Sequence, residues 1–179
     1  TPMASPTLVT DGIRLNSVAG TTLSRTAYLD NLESDFARFR ALVFNADVPV
    51  PSCPGWTTTD LAEHLARVYW HQSFVVKGGS KPEGDEHLPD FTFADSPERY
   101  LDQAFETIRK ALDPSRSPER EVWTWDPRSG TVDFWFRRMA HETVIHRFDA
   151  ELATRQTTAF DADLALDGID ELMSWVPML

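Results

Sequence analysis

Residues 137–149 read RRMAHETVIHRFD, and this stretch organises the chain. It is rich in good helix formers, lacks glycine and proline, and spaces its apolar residues as a helix does, so we predict one continuous helix. On that helix Glu142 and His146 are four residues apart and lie on one face, about a turn from each other. A carboxylate and an imidazole placed in this way could share one metal ion.

His141 does not join that pair. It precedes His146 by five residues, which places the two side chains roughly 140° apart around the helix. The pattern is therefore H-E-x-x-x-H, one residue longer than the H-E-x-x-H of the zinc proteases, in which both histidines share a face. We take Glu142 and His146 as the candidate ligand pair and expect His141 to be a hydrogen-bonded neighbour.

The rest of the chain predicts four further helices joined by short links. Apolar residues recur every three or four positions, and helix starts and stops flank these runs, such as the capping-box pattern at Thr57 and Asp60. The residues around 121–130 predict a short hairpin or a tight loop. Together these signals predict an all-α bundle of four main helices plus one. The expected helices span residues 24–43, 58–77, 97–112, 132–154 and 161–175, and the last has Leu164, Ile169, Leu172 and Trp175 as its apolar residues.

Composition argues against several classes of function, namely nucleic-acid binding, binding to anionic membranes and spanning a membrane. The net charge is 17 − 28 = −11 over 179 residues, whereas nucleic-acid and anionic membrane surfaces require basic patches. No apolar run approaches the ~20 residues of a membrane span. The single cysteine, Cys53, permits no internal disulfide and fits a reducing compartment, so we expect a cytoplasmic protein.

His64 is the candidate third ligand, on the inward side of the second helix beside Leu61 and Leu65. A lone inward histidine is usually a hydrogen-bonded core residue, and Glu–His pairs occur on many long helices. The combination is more informative, because neighbouring helices of a bundle build metal sites from inward side chains. A buried carboxylate without a partner is costly, and a divalent ion removes that cost. Two histidines and one glutamate are typical ligands of catalytic zinc, with the fourth position open.

Two other side chains near this site have alternative roles. Asp149 follows His146 by three residues, so it could orient that imidazole, or it could form a surface ion pair with Arg147 or Arg138. Cys53 lies in an apolar turn with no basic partner nearby in sequence, which favours a packed thiol over a nucleophile. No side chain stands out as a protein nucleophile.

Two separate motifs then point to a known family. Residues 53–57 (CPGWT) followed by 60–65 (DLAEHL), and residues 137–151 (RRMAHETVIHRFDAE), resemble the conserved motifs of mycothiol-dependent maleylpyruvate isomerase-like proteins. Residues 167–171 (DGIDE) also fit the next helix of these proteins. The resemblance covers most of residues 24–175, with the motifs in the same order.

The resemblance implies a DinB-like four-helix bundle and a bound metal. Its ligands fall on His64, Glu142 and His146, the trio that the spacing selected, and Asp149 matches an aspartate beside the second histidine. The metal is expected to be zinc, although nickel or another divalent ion could replace it. Zinc would bind the sulfur of mycothiol, a small thiol cosubstrate, and lower its pKa to give a thiolate nucleophile. That thiolate would then attack a small electrophilic substrate.

The function expected from this resemblance is a mycothiol-dependent transferase or isomerase. A metal-dependent hydrolase using bound water is one alternative, and a non-catalytic metal-binding or interaction domain is another. We expect residues 1–23 to form an extended segment and 24–179 to form the bundle domain, without the C-terminal domain of the characterised isomerases. Bundles of this type often pair as homodimers, but no exposed apolar stripe in the sequence singles out an interface.

Overall fold

The computed structural model describes residues 23–115, 120–126 and 128–176. Within these ranges the chain is all-α and has no strand, which confirms the predicted DinB-like bundle with an additional C-terminal helix. The expected extended segment at residues 1–23 lies outside the described residues, apart from Leu23. The helices are α1 (Arg25–Val43), α2 (Thr58–Gly78), α3 (Pro97–Ala111), α4 (Val132–Thr154) and α5 (Ala162–Trp175).

Side-chain caps fix where several helices begin. The Ser24 hydroxyl accepts a hydrogen bond from the backbone N–H of Ala27 at the start of α1. Thr57 and Asp60 form the predicted capping box at the start of α2, which satisfies backbone donors that the first turn leaves free. Ser96 is at the cap position of α3 but makes no side-chain cap hydrogen bond. Its backbone lies away from the extended conformation that a capping side chain requires.

The bundle is built from two helix pairs that pack on a common core. α1 packs most extensively against α4, and α2 against α3, while α2 also contacts α4. Aromatic rings fill the centre, where Phe36 of α1 stacks on Phe105 of α3 with ring centroids 3.6 Å apart. This arrangement places the inward faces of α2 and α4, which carry the candidate ligands, beside each other. The largest fully buried side chains include Trp135, Tyr69, Phe39, Phe136, Leu32, Leu61, Leu65 and Leu101.

The connections contain isolated β-bridges instead of hairpins. Pro49 pairs with Thr57, and Glu121 pairs with Thr131. For residues 121–130 the sequence predicted a short hairpin or a tight loop. Among its described residues this segment is a loop closed by one bridge. The first bridge folds residues 50–56 into a turn that lies over the carboxyl-terminal half of α4.

α5 is oriented differently from the sequence expectation. Its buried side chains are Leu164, Asp167 and Glu171, whereas Ile169 and Leu172, two of the apolar residues that mark this helix in the sequence, are exposed. These side chains belong to an exposed apolar stripe that the sequence did not single out. The reason is that Asp167 and Glu171 find cationic partners on α4 and take the inward positions.

No helix in the described part of the chain combines the length and the hydropathy of a membrane span.

Candidate metal centre

Three predicted ligands converge between α2 and α4. Oε1 of Glu142 lies 3.4 Å from Nε2 of His64 and 3.2 Å from Nε2 of His146. One ligand atom from each of the three residues lies within 4.8 Å of the others. In the described part of the chain, this is the one group of three or more histidine, cysteine or acidic side chains that could hold a metal ion.

The spacing of these atoms fits a small divalent ion. Ligand atoms at about 2.0–2.1 Å from a tetrahedral zinc ion are about 3.3 Å apart. The two Glu142–histidine separations are close to that edge length, and the three ligand atoms all lie within 4.8 Å of one another. Without an ion, the two histidines hydrogen-bond to Glu142 through the same atoms. The three residues could therefore form either a metal site or a hydrogen-bonded cluster.

Asp149 holds the His146 ring from behind. Its Oδ2 lies 2.9 Å from Nδ1 of His146. This nitrogen therefore carries a proton and donates a hydrogen bond to the carboxylate. Nε2 is then the ring nitrogen that faces the cluster, as in metal sites where a carboxylate fixes the ligand tautomer. The Ser52 hydroxyl donates to the other oxygen of Asp149 at 2.5 Å. Of the two contacts considered for Asp149, the structure shows the hydrogen bond to His146.

Charges around His146 alter its ionisation. Burial favours the neutral ring, but the hydrogen bonds to Asp149 and Glu142 favour the charged ring and raise the pKa of His146 to about 9. Burial likewise opposes ionisation of Glu142. The hydrogen bonds from the two histidines, together with the charges of His146 and Arg138, outweigh it and hold the pKa of Glu142 well below its usual range. The glutamate is therefore an anion, as a metal ligand must be.

The second oxygen of Glu142 is fixed by Arg138. Nη2 of Arg138 lies 3.0 Å from Oε2 of Glu142, and Nη1 of the same guanidinium donates to Glu171 on α5. The planar guanidinium therefore bridges a candidate ligand and a buried carboxylate of another helix. This leaves Oε1 of Glu142 directed at the two histidines.

His64 is the candidate ligand on the open side of the cluster. Its side chain is 34% exposed, compared with 13% for His146, so a small molecule can approach from this side. The Trp56 ring lies against it, with ring centroids 5.0 Å apart. The capping box at Thr57 fixes the start of α2 and so places His64 on the second turn, facing α4.

The remaining predicted residues lie outside the cluster. His141 is buried and its Nε2 is 2.7 Å from Oδ2 of Asp167, so it is a hydrogen-bonded neighbour as expected. The Cys53 sulfur lies 3.8 Å from Oδ2 of Asp149. Burial and the charge of Asp149 raise the pKa of the Cys53 thiol. Cys53 is thus in the environment of a packed thiol and not of a thiolate nucleophile.

A cavity adjoins Glu142. It has a volume of about 360 Å³ and lies between α2, α4 and α5. Its walls combine three indole rings with polar groups that include Gln72, Arg138 and Glu142; the rings are those of Trp125, Trp135 and Trp175. Gln72 lines this space and its Oε1 atom is buried, so this atom could accept a hydrogen bond from a molecule bound there.

Sequence reasoning missed several contributors. Arg138 and Glu142 are four residues apart, which is the spacing of a helical ion pair, so that contact had a detectable signal. Ser52 and Glu171 had none, because each reaches the site from a segment far away in sequence. The loop that carries Ser52 and the helix that carries Glu171 become neighbours of α4 only in the folded chain.

Comparison with known proteins places the chain in a family. A family model described as the mycothiol maleylpyruvate isomerase N-terminal domain matches residues 29–151. The matched range contains His64, Glu142, His146 and Asp149, and it ends before α5. No curated protein and no solved structure matches the chain. Because the family model covers well over half of the sequence and includes the whole candidate metal centre, the chain belongs to the mycothiol maleylpyruvate isomerase N-terminal domain family.

Proposed function

We propose that this protein binds one divalent metal ion through His64, Glu142 and His146 and uses it to activate mycothiol toward a small electrophile. The convergence of the three ligand atoms is the observation that carries this proposal. Mycothiol is the proposed thiol because the description of the matched family names it. Zinc is the proposed metal, since two histidines and a glutamate with an open position are typical of catalytic zinc. When bound, such an ion would lower the pKa of a coordinated thiol.

The protein residues prepare this site before any reactant enters. Arg138 holds Oε2 of Glu142 at 3.0 Å, so the carboxylate presents Oε1 to the cluster. Asp149 keeps the proton of His146 on Nδ1. With a pKa of about 9 in the metal-free protein, His146 would release the proton on Nε2 when a metal ion replaces it.

An external thiol suits this site better than a protein nucleophile. Cys53 is directed at Asp149, and the same carboxylate raises the pKa of its thiol. The cavity beside Glu142 has room for part of a small reactant, and its three indole rings offer flat apolar walls. Gln72 offers a buried acceptor for a hydroxyl or amide donor. We propose that this cavity holds the body of the thiol or of the electrophile.

Metal content is the first test. We expect about one zinc ion per chain in protein purified without a metal-affinity tag, and loss of that ion in His64→Ala, Glu142→Gln and His146→Ala. His71→Ala is the matched control, because His71 lies on α2 two turns beyond His64 and outside the cluster. Circular dichroism would establish that each variant remains helical. Wild-type protein without stoichiometric metal, prepared under conditions that do not strip it, would overturn the proposal.

Thiol binding is the second test and does not depend on turnover. In cobalt-substituted protein, mycothiol should produce a sulfur-to-cobalt charge-transfer band in the near ultraviolet, and its S-methyl derivative should not. Absence of this band at saturating mycothiol would refute a metal-bound thiol. Product analysis of maleylpyruvate and other small electrophiles with and without mycothiol follows. Turnover that needs no thiol would favour hydrolysis by bound water.

A further inference from the structure

α5 is amphipathic, but acidic side chains lie on its inward face and apolar side chains on its outward face. Its inward stripe contains two carboxylates, Asp167 and Glu171, beside Leu164, whereas most of its large apolar side chains point outward. Each of these outward side chains is at least half exposed, from 51% at Val176 to 63% at Leu166. We call them the outer face of α5: Leu166, Ile169, Leu172, Met173 and Val176.

The inward carboxylates explain why α5 stays in this orientation. Asp167 accepts hydrogen bonds from Tyr28, Arg137 and His141. Glu171 accepts from Arg138. Turning α5 to bury its outer face would expose these ion pairs or break them. The outer face is therefore fixed toward solvent by the anchors on its opposite side.

The apolar surface continues beyond α5. Ile145 of α4 is 52% exposed and Phe160 is 36% exposed, and both line a groove of about 410 Å³ between α4 and α5. Scaled from the exposed fraction of each side chain, the outer face and these two side chains expose on the order of 700 Å² of mostly apolar surface. This exceeds the largest patch of a typical monomer, ~300–600 Å², and approaches the ~800 Å² that each partner buries in a standard interface.

The spacing on α5 indicates what kind of surface fits there. Leu166, Ile169, Met173 and Val176 follow one another at intervals of three, four and three, which is the a/d spacing of a helix-pairing seam. The seam forms a ridge, and the α4–α5 groove runs beside it. A two-fold axis next to the seam would place the ridge of each copy in the groove of the other, as an isologous interface requires.

We propose that the outer face of α5 and the α4–α5 groove form a homodimer interface, with a second copy of this chain as the occupant. Area and shape support this occupant, because one surface supplies both the ridge and the groove. The inference does not depend on the metal centre, and α5 lies outside the range matched by the family model. Asp163 and Asp170 flank the seam and each chain carries a net charge of −11, so like charges oppose pairing.

The charge pattern gives the dimer a distinctive salt dependence. Salt screens repulsion between exposed like charges, so association of two copies should strengthen as sodium chloride is raised. Binding of a basic partner to the same face would weaken under those conditions. Sedimentation velocity across the micromolar concentration range, at low and at high sodium chloride, measures this directly. A wild-type chain that remains monomeric at both salt concentrations would overturn the proposal and leave a different partner, or another part of the chain, to cover the face.

Ile169→Glu tests the location of the interface. Ile169 is exposed, so its replacement should leave the fold and the helical circular dichroism unchanged. Changing a hot-spot residue at the centre of an interface weakens binding by about 30-fold or more. Ile169→Glu also buries a charge in both copies, so we expect the dimer to be lost in the measured range. Gln103→Glu on α3 adds the same charge at an exposed site and should leave the dissociation constant within about twofold of wild type. A dimer that Ile169→Glu leaves intact would refute this interface.

Discussion

Replacing Asp167 by alanine removes the carboxylate that holds α5 against the bundle. The Asp167 side chain is 1% exposed and accepts hydrogen bonds from Tyr28 at 2.9 Å, Arg137 at 3.0 Å and His141 at 2.7 Å. Hydrogen bonds to a charged group contribute about 1.5–3 kcal/mol each, and breaking a buried ion pair costs about 3–5 kcal/mol. Arg137 also binds Asp170, so we take the lower end, about 3 kcal/mol.

That loss should appear in α5 more than in the rest of the bundle. Leu164 is the one apolar side chain that α5 buries fully, so little hydrophobic contact would hold the helix once Asp167 is gone. We expect backbone amides of residues 162–176 to exchange hydrogen about 100-fold faster in Asp167→Ala, while α1 to α4 stay protected. Hydrogen–deuterium exchange with mass spectrometry resolves the two regions.

Asp170→Ala is the matched control for this experiment. Its side chain is 55% exposed and makes one contact with the same Arg137, and exposed ion pairs contribute about 0–1 kcal/mol. We therefore expect nearly wild-type exchange in α5. Unchanged protection of α5 in Asp167→Ala, or equal losses in both variants, would refute the reasoning that buried carboxylates anchor this helix.

Two further substitutions test specific environments. Burial raises the pKa of Asp35 to about 6 despite the nearby Arg147, above the ~3.9 of an unfolded aspartate. The folded chain thus binds more protons between those values, and this contribution to the free energy of unfolding falls as pH rises from about 4 to 6 and stays lost above. Relative to wild type, Asp35→Asn should gain about 2 kcal/mol over that interval in urea unfolding, and parallel pH curves would contradict this. Gly168→Ala would place a Cβ 3.2 Å from two atoms of the His141 ring, so overpacking should outweigh the better helix propensity of alanine and cost about 1 kcal/mol; a more stable variant in urea unfolding would show that α5 can shift.

Local signals in the sequence were sufficient to predict where the helices lie. Apolar spacing and caps predicted α4 over Val132–Thr154, the same bounds that the structure has, and the capping box at Thr57 and Asp60 is formed as expected. Such features act within a few residues of one another, so they can be recognised without knowledge of the fold.

The candidate ligands were also predictable. Glu142 and His146 share a face through helix geometry alone, and His64 is inward on the neighbouring α2. The partner of Asp149 was left open between His146 and an ion pair with Arg147 or Arg138. The structure shows Asp149 beside His146, while Arg147 instead pairs with carboxylates that include Asp35 and Glu151.

The sequence by itself therefore determined the approximate helix boundaries and placed Glu142 and His146 on one face of α4, because both follow from capping residues and from the period of a helix. His64 joins them because α2 packs beside α4 in the folded chain. Tertiary structure decided which way α5 faces. Its apolar residues predict an inward stripe, but Asp167 meets Tyr28, 139 positions away, and Glu171 meets Arg138 across helices. A buried carboxylate must have its cation and donors, and that requirement turned the apolar side of α5 to the surface.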